Sequence, residues 1–328
     1  MAWLTPASVV GLPCLVLGML ASSHAAAAEP ARPTSASADP PAPWQPAAGL
    51  TQTPLWPEGV PIQRPETTAD ERVEQASKLV GGRPFTFVTN VSRPTMTVYP
   101  PTSPNTGAAL MVFPGGGYYD VAIDLEGTEI CDWITKAGVT CILLKYRSPQ
   151  DWHKNGGHQA PAVQLALQDA QRAMGLIRQR SAEYGIDPRK VGVIGFSAGG
   201  HLVAAISNAE KRSYAAIDAA DSLPSRPDFA IALYPGHLWS GKGLELYSWN
   251  SISANAPPTL LVQSFDDPVD DVRNAIAYAM ALRGAKVPVE MHLYAEGGHA
   301  FGLRPTSFPI TTAWPKLVME WLHIIEIL

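Results

Sequence analysis

Charge is scarce in this chain. Its 328 residues hold 24 Lys and Arg against 29 Asp and Glu, a net charge of −5, with no basic stripe and no block of like charge. That pattern argues against a nucleic-acid partner. Cysteine is scarcer still, with three residues, and no His, Cys or carboxylate cluster has metal-ligand spacing. Neither a metal nor an organic cofactor is expected. The apolar run from Leu12 to Leu20 is short for a membrane span. With the small residues Ala25 to Ala28 behind it, it reads as an export signal over residues 1–28, although no Lys or Arg precedes it. An uncleaved anchor is the other reading. After cleavage no stable membrane insertion is expected, and the product should be periplasmic or extracellular. Residues 29–50 are rich in Ala, Pro and Ser without apolar periodicity, which predicts a disordered linker. Cleavage leaves only Cys131 and Cys141. An oxidising compartment permits a bridge, but two separately buried thiols are the favoured expectation, because spacing alone does not fix the Cα separation a bridge needs.

What remains is ordinary globular composition, 46% hydrophobic, and enough chain over 51–328 for one large α/β domain. Short apolar runs alternate with helical periodicity from Ala108 onward. Strands are expected at 85–88 and 95–99, and then at 108–113, 139–146, 191–196, 229–235, 259–265 and 289–294. Helices are expected at about 126–137, 162–184, 201–207, 272–283 and 314–327. This alternation predicts a mainly parallel sheet of about eight strands with helices on both faces. Functional loops then lie at the carboxyl ends of the strands.

The chain is organised around Val191 to His201, a β-branched run leading through Gly195-Phe196-Ser197-Ala198-Gly199-Gly200 into a helical stretch. The turn fits G-x-S-x-G, the strand–turn–helix elbow of the α/β-hydrolase fold. A serine held in so tight a turn brings the residues two places either side against strand and helix, where a Cβ would collide. A nucleophilic serine needs a base, an acid that orients the base, and donors for the oxyanion. His299, after Gly297-Gly298 and the last strand, is placed to be the base. His153, His158, His201 and His292 lack that placement. The acid comes from the loop Asp266-Asp267-Pro268-Val269-Asp270-Asp271. Asp267 is preferred, with Asp266 or Asp270 as alternatives, and Asp270 or Asp271 is also a helix N-cap candidate. The order Ser…Asp…His marks this fold. The oxyanion donors are expected to be the N–H groups of Ala198 and of Gly116 or Gly117 in Pro114-Gly115-Gly116-Gly117. Lipase-type loops often have His where Pro114 stands. Tyr118 and Tyr119, next to these glycines, are expected to bound an acyl pocket. Trp239 and Trp249, in the polar insert 236–256, are candidate platforms for a sugar ring, the alternative being that they pin the insert to the sheet.

These stretches resemble secreted bacterial α/β-hydrolases of the acetyl-xylan-esterase and feruloyl-esterase-like group, some of them labelled xylanase-related. The matching residues are Leu55-Trp56-Pro57, Pro114 to Tyr118, Glu126-Gly127, Leu144 to Arg147, Gly195 to Leu202, Phe265 to Val269 and Gly297 to Arg304. Asp270 departs from the group's common Asp-x-x-Val acid loop, and Ala300 from its usual form after the histidine. The resemblance implies hydrolysis of small acyl esters, on a small molecule or a polysaccharide such as xylan. Ser197 would attack, His299 move the proton and Asp267 hold the imidazole. It leaves the acyl group, the alcohol and the oligomeric state open. A prolyl-oligopeptidase-like peptidase would use the same triad, usually beside a large extra domain.

Overall fold

A computed structural model describes residues 43–60, 62, 69–148 and 161–328. The export signal, most of the linker and the loop carrying Trp152, His153 and His158 lie outside the described residues. The described strands are β1 Gln52–Pro54, β2 Arg72–Gln75, β3 Thr86–Thr89, β4 Thr95–Tyr99, β5 Ala109–Phe113, β6 Asp120–Val121, β7 Thr140–Lys145, β8 Val191–Phe196, β9 Ala230–Leu233, β10 Thr259–Ser264 and β11 Val289–Tyr294. The α-helices are α1 Glu129–Ile134, α2 Pro161–Gln179, α3 Ser181–Tyr184, α4 Ala198–Asn208, α5 Arg273–Gly284 and α6 Ile310–Ile324.

Eight strands form one sheet in the order β1-β4-β7-β5-β8-β9-β10-β11. The run from β7 to β11 is parallel throughout, and β4 joins β7 antiparallel. Strands β5, β7, β8, β9 and β10 are buried along their whole length, which is why they read as continuous apolar runs rather than alternating ones. Burying each such Val, Ile or Leu side chain contributes about 1.5–3 kcal/mol. Helix α1 packs on β7, α4 on β8 and β9, α5 on β10 and β11, and α6 on β10.

The strand order reverses at β5. From β5 the chain steps to β7 on one side, then crosses back to β8 on the other. Such a reversal opens a crevice at the carboxyl ends of the two central strands. The triple glycine follows β5 and Ser197 follows β8, so both reach that crevice. A second sheet, β2-β3-β6, stands apart from the first. Its β6 strand grows out of the triple-glycine loop, and Thr89 of β3 pairs with Asp120 of β6.

Three expectations change here. Cys131 and Cys141 form a disulfide, with Cα atoms 5.2 Å apart. Helix α1 packs directly on β7, which brings the two backbones within bridging reach. The predicted linker ends earlier than 50. Trp44 and Leu50 are partly buried against the core, and the Trp44 N–H donates to Glu71 Oε1. The long helix predicted at 162–184 is interrupted between Gln179 and Ser181, with Arg180 outside both helical conformations.

The segment Leu55-Trp56-Pro57 is held by the sheet-covering helix α2. Trp56 Nε1 donates to Asp169 Oδ1 at 2.7 Å, and Arg147 pairs with the same carboxylate at 2.7 Å, both charges fully buried. Among the described residues no helix is long and apolar enough to cross a membrane.

Candidate active site

The elbow is strained in the way its sequence implies. Ser197 sits at φ +52°, ψ −118°, outside the regions open to most side chains. Such a conformation costs roughly 1–3 kcal/mol and persists only where its surroundings enforce it. A Cβ on Gly195 would overlap the backbone of Gly199, and one on Gly199 would overlap the Phe113 carbonyl of β5. The two glycines therefore let strand, turn and helix close tightly, and Ser197 is left pointing into the crevice.

His299 bridges serine and acid. Its Nε2 lies 3.0 Å from Ser197 Oγ and its Nδ1 lies 2.8 Å from Asp267 Oδ2. The Asp267 side chain is fully buried, and its other oxygen accepts the N–H groups of Val269 and Asp270 at 2.9 Å each. Burial alone would push the imidazole down. The hydrogen bond to Asp267, with the charges of Asp267, Asp270 and Glu126, outweighs it and leaves His299 above its ordinary value.

The remaining aspartates of the loop separate by direction. Asp266 accepts the Gly298 N–H at 2.8 Å and so holds the loop that carries His299. Asp271 caps the start of α5 by accepting the Arg273 N–H at 2.8 Å. Asp270 turns toward the serine, with Oδ2 3.3 Å from Ser197 Oγ and 3.8 Å from His299 Nε2. Burial raises its carboxyl to about 6.

Ser197, His299 and Asp270 face a cavity of about 450 Å³, with Gly116 and Gly117 on its rim. Ala198 opens α4 with its amide at the helix N-terminus, a site that favours developing negative charge. The Gly115 N–H is not open to a substrate, because it donates to Glu126 Oε2 at 2.7 Å. The cavity wall is completed by Phe85 and Phe87 from the β3 segment, and by Ala122, Leu125 and Val269.

Tyr118 and Tyr119 are not part of that wall. Tyr118 takes a positive φ of 63°, which swings its side chain inward to full burial. Its hydroxyl lies 2.9 Å from His201 Nδ1. The Asn250 amide donates to His237 O at 3.0 Å and to Leu238 O at 3.4 Å, so its oxygen faces His201 Nε2 at 3.0 Å. His201 Nε2 is then the donor, and Nδ1 accepts the Tyr118 hydroxyl. Burial lowers His201 to about 4, so it is neutral in this role. Trp239 and Trp249 also miss the cavity. The Trp239 ring lies under the Arg273 guanidinium at 3.6 Å, and its Nε1 donates to Gly243 O. Trp249 stacks on Tyr247 at 4.1 Å and faces a separate cavity beside α2 and α4. These contacts lie within the insert and to Arg273 of α5.

Several site residues carried little sequence signal. Glu126 is buried and joins two walls, accepting the Gly115 N–H and the Tyr234 hydroxyl, the latter at 2.8 Å. Burial raises its carboxyl, partly offset by Tyr234, His299 and the Gly115 amide. Tyr234 in turn packs edge-on against His299, with centroids 5.0 Å apart. The Glu126-Gly127 pair was visible as part of a likeness, without a role. Phe85 and Phe87 were visible only as strand residues.

A profile of the prolyl oligopeptidase family matches residues 132–308. The chain is 29% identical over 230 residues to an acetylxylan esterase of Xylanibacter ruminicola, covering 63% of this chain and 43% of that protein. It is 26% identical over 223 residues to an endo-1,4-beta-xylanase B of Butyrivibrio fibrisolvens, covering 61% of this chain and 33% of that protein. It thus spans less than half the length of either relative. Among solved structures, an acetyl ester-xyloside bifunctional hydrolase from Caldicellulosiruptor lactoaceticus superposes with a TM-score of 0.65 at 26% identity. That match covers 85% of this chain and 97% of the other.

Proposed function

The chain belongs to the prolyl oligopeptidase family of α/β-hydrolases, and we propose that it is a serine carboxylesterase acting on small acyl esters of carbohydrate. The observation that carries this reading is the bonded series Ser197–His299–Asp267, at 3.0 and 2.8 Å, opening onto a cavity lined by Gly116 and Gly117. His299 takes the serine proton as Oγ attacks the ester carbonyl. Asp267 holds the Nδ1–H tautomer and stabilises the imidazolium that forms. The amides of Ala198 and of Gly116 or Gly117 receive the oxyanion. His299 then protonates the leaving alcohol, and a water repeats the sequence to free the acid.

A small acyl group is the part of the reading that the lining residues Phe85, Phe87 and Leu125 would act on, as the apolar side chains of the cavity wall. Carbohydrate as the alcohol is supported by similarity to an acetylxylan esterase and to an acetyl ester-xyloside bifunctional hydrolase. Membership in a family named for a peptidase keeps peptide amides as the second reading. A panel of acetylated xylan, feruloyl esters, short nitrophenyl esters and peptide amides, each with native protein and Ser197→Ala, decides between them. Hydrolysis of acetyl esters that vanishes in Ser197→Ala supports the proposal. Turnover confined to peptide amides rejects it.

The export signal is part of the same proposal. A disulfide is what an oxidising compartment allows, and Cys131–Cys141 supports export on that ground. Mass spectrometry of protein expressed in an exporting bacterium should find the mature chain starting between about Ala26 and Glu29. An intact Met1 on the exported product rejects it.

A further inference from the structure

Asp270 follows the triad acid by three residues, and its side chain enters the reaction centre beside Ser197 and His299. Its placement is built rather than incidental. The Asp270 N–H donates to Asp267 Oδ1 at 2.9 Å, and its carbonyl accepts Gln263 Nε2 at 2.5 Å. Gly236 leaves the room it needs, because a Cβ there would overlap the Asp270 carboxylate. Among the described residues no Lys or Arg pairs with it, and its ion-pair contact is His299 Nε2 at 3.8 Å.

We infer that Asp270 determines specificity, its carboxylate accepting a hydrogen bond from a hydroxyl on the carbon beside the leaving oxygen. The site would then select monoesters of vicinal diols (sugars, glycerol, glycols) over esters of simple alcohols. This rests on the serine-esterase reading above and assigns recognition of its alcohol to one residue.

The geometry runs as follows. The leaving oxygen must come within hydrogen-bond distance of His299 Nε2 to be protonated, roughly 2.6–3.2 Å. Asp270 Oδ2 is 3.8 Å from that same nitrogen. The neighbouring oxygen of a gauche diol lies about one hydrogen-bond length from the leaving oxygen, which puts it within reach of Oδ2. Before reaction the carboxylate is 3.3 Å from Ser197 Oγ and competes for the serine hydrogen. Once that hydrogen has moved to His299, the carboxylate is open to a substrate hydroxyl. It also faces the charges of Asp267 and of His299. Its attraction to the imidazolium is the same for every ester, so it cancels when two substrates are compared. A buried acceptor offered a methyl group in place of a hydroxyl is left unpaired, and that is what discriminates.

The test uses 2-hydroxyethyl acetate and propyl acetate, which exchange one hydroxyl for a methyl. They are compared by kcat/KM at about pH 8, where the Asp270 carboxylate is ionised. The native protein should favour the hydroxyethyl ester by about tenfold or more. Asp270→Val should remove the preference, and Asp270→Asn, which keeps an acceptor oxygen, should reduce it by about threefold or more. If the valine variant fails to fold, the asparagine variant decides alone. The proposal is overturned by a native protein without preference, by a preference that survives substitution, or by a variant that loses both substrates equally. Labelling with a small phosphonate separates this failure from failure of the esterase reading. A native protein labelled at Ser197 that hydrolyses propyl acetate without preference overturns the specificity alone. One that is neither labelled nor active on any ester overturns both.

Discussion

The Tyr118 hydroxyl donates to His201 Nδ1 across 2.9 Å, which fastens the turn after Gly117 to the helix that begins beside Ser197. The glycine loop and the helix opened by Ala198, which the proposed mechanism gives the oxyanion, are therefore held together by a buried bond. Tyr118→Phe should lower kcat by about tenfold while KM changes little, because a donor displaced by a fraction of an ångström costs less than the 10²–10³ of a donor removed. Steady-state kinetics on a short nitrophenyl ester, with circular dichroism to establish folding, checks it. Unchanged kcat in a folded variant would mean the glycine loop holds its shape without this bond.

Ser197→Ala and His299→Ala should each cost about 10⁴–10⁶ in kcat, and the double variant no more than either, since the residues act as a unit. Asp267→Asn should cost less than Ser197→Ala, at roughly 10²–10⁴. Asp270→Asn should cost less again on simple esters. The reverse ranking of the two asparagine variants would move the orienting role from Asp267 to Asp270.

The base works only when neutral. His299 lies above its ordinary 6.5, so kcat/KM should rise with pH through a midpoint above 6.5 and then level off. Asp270 contributes negative charge beside the same ring. Asp270→Asn removes that charge, makes the imidazolium easier to deprotonate, and should move the acid limb to lower pH. A pH–rate profile of both proteins reads the shift, and an upward movement would contradict the assignment. In the native protein the limb belongs to His299 and Asp270 jointly, since the two titrate against each other.

The Cys131–Cys141 bridge closes a short loop, with a sequence separation of 10. Its removal by Cys131→Ser with Cys141→Ser should cost about 2–3 kcal/mol of stability. Calorimetry of the double variant, and of native protein with and without reductant, should show a Tm lower by several degrees in both cases. A Tm unaffected by reductant would show that the thiols are not bridged in solution.

Phe85 and Phe87 have ring centroids 6.3 Å apart at the cavity wall. Acetyl esters should exceed octanoyl esters in kcat/KM, and Phe87→Ala should narrow that gap by opening the wall. Chain-length profiling of both proteins is the measurement. A native preference for octanoyl would remove the small-acyl reading.

Much of this protein was legible as sequence because the relevant signals are local. Gly195 and Gly199 flank Ser197 at the only spacing that lets strand and helix close on it. The buried strands announce themselves as unbroken apolar runs, and β11 falls at 289–294 as expected. His299 follows two glycines at the end of that last strand, where topology alone directs it over the serine. The aspartates were different. Asp266, Asp267, Asp270 and Asp271 share one loop and one chemistry, and only the path of the backbone sends them to Gly298, His299, Ser197 and Arg273 respectively. Tyr118 is adjacent to Gly116 and Gly117 in sequence, yet at a positive φ its side chain is buried in the core rather than on the cavity wall. Phe85 and Phe87 read as strand residues, but that their strand joins a second sheet and lines the cavity depends on distant partners. The disulfide needed α1 to pack on β7 before two cysteines ten residues apart could meet. Local spacing determined which turns, strands and reactive residues exist. Which side chain faces which was decided only when distant segments packed together, because side-chain direction depends on backbone conformation and neighbours that sequence proximity does not encode.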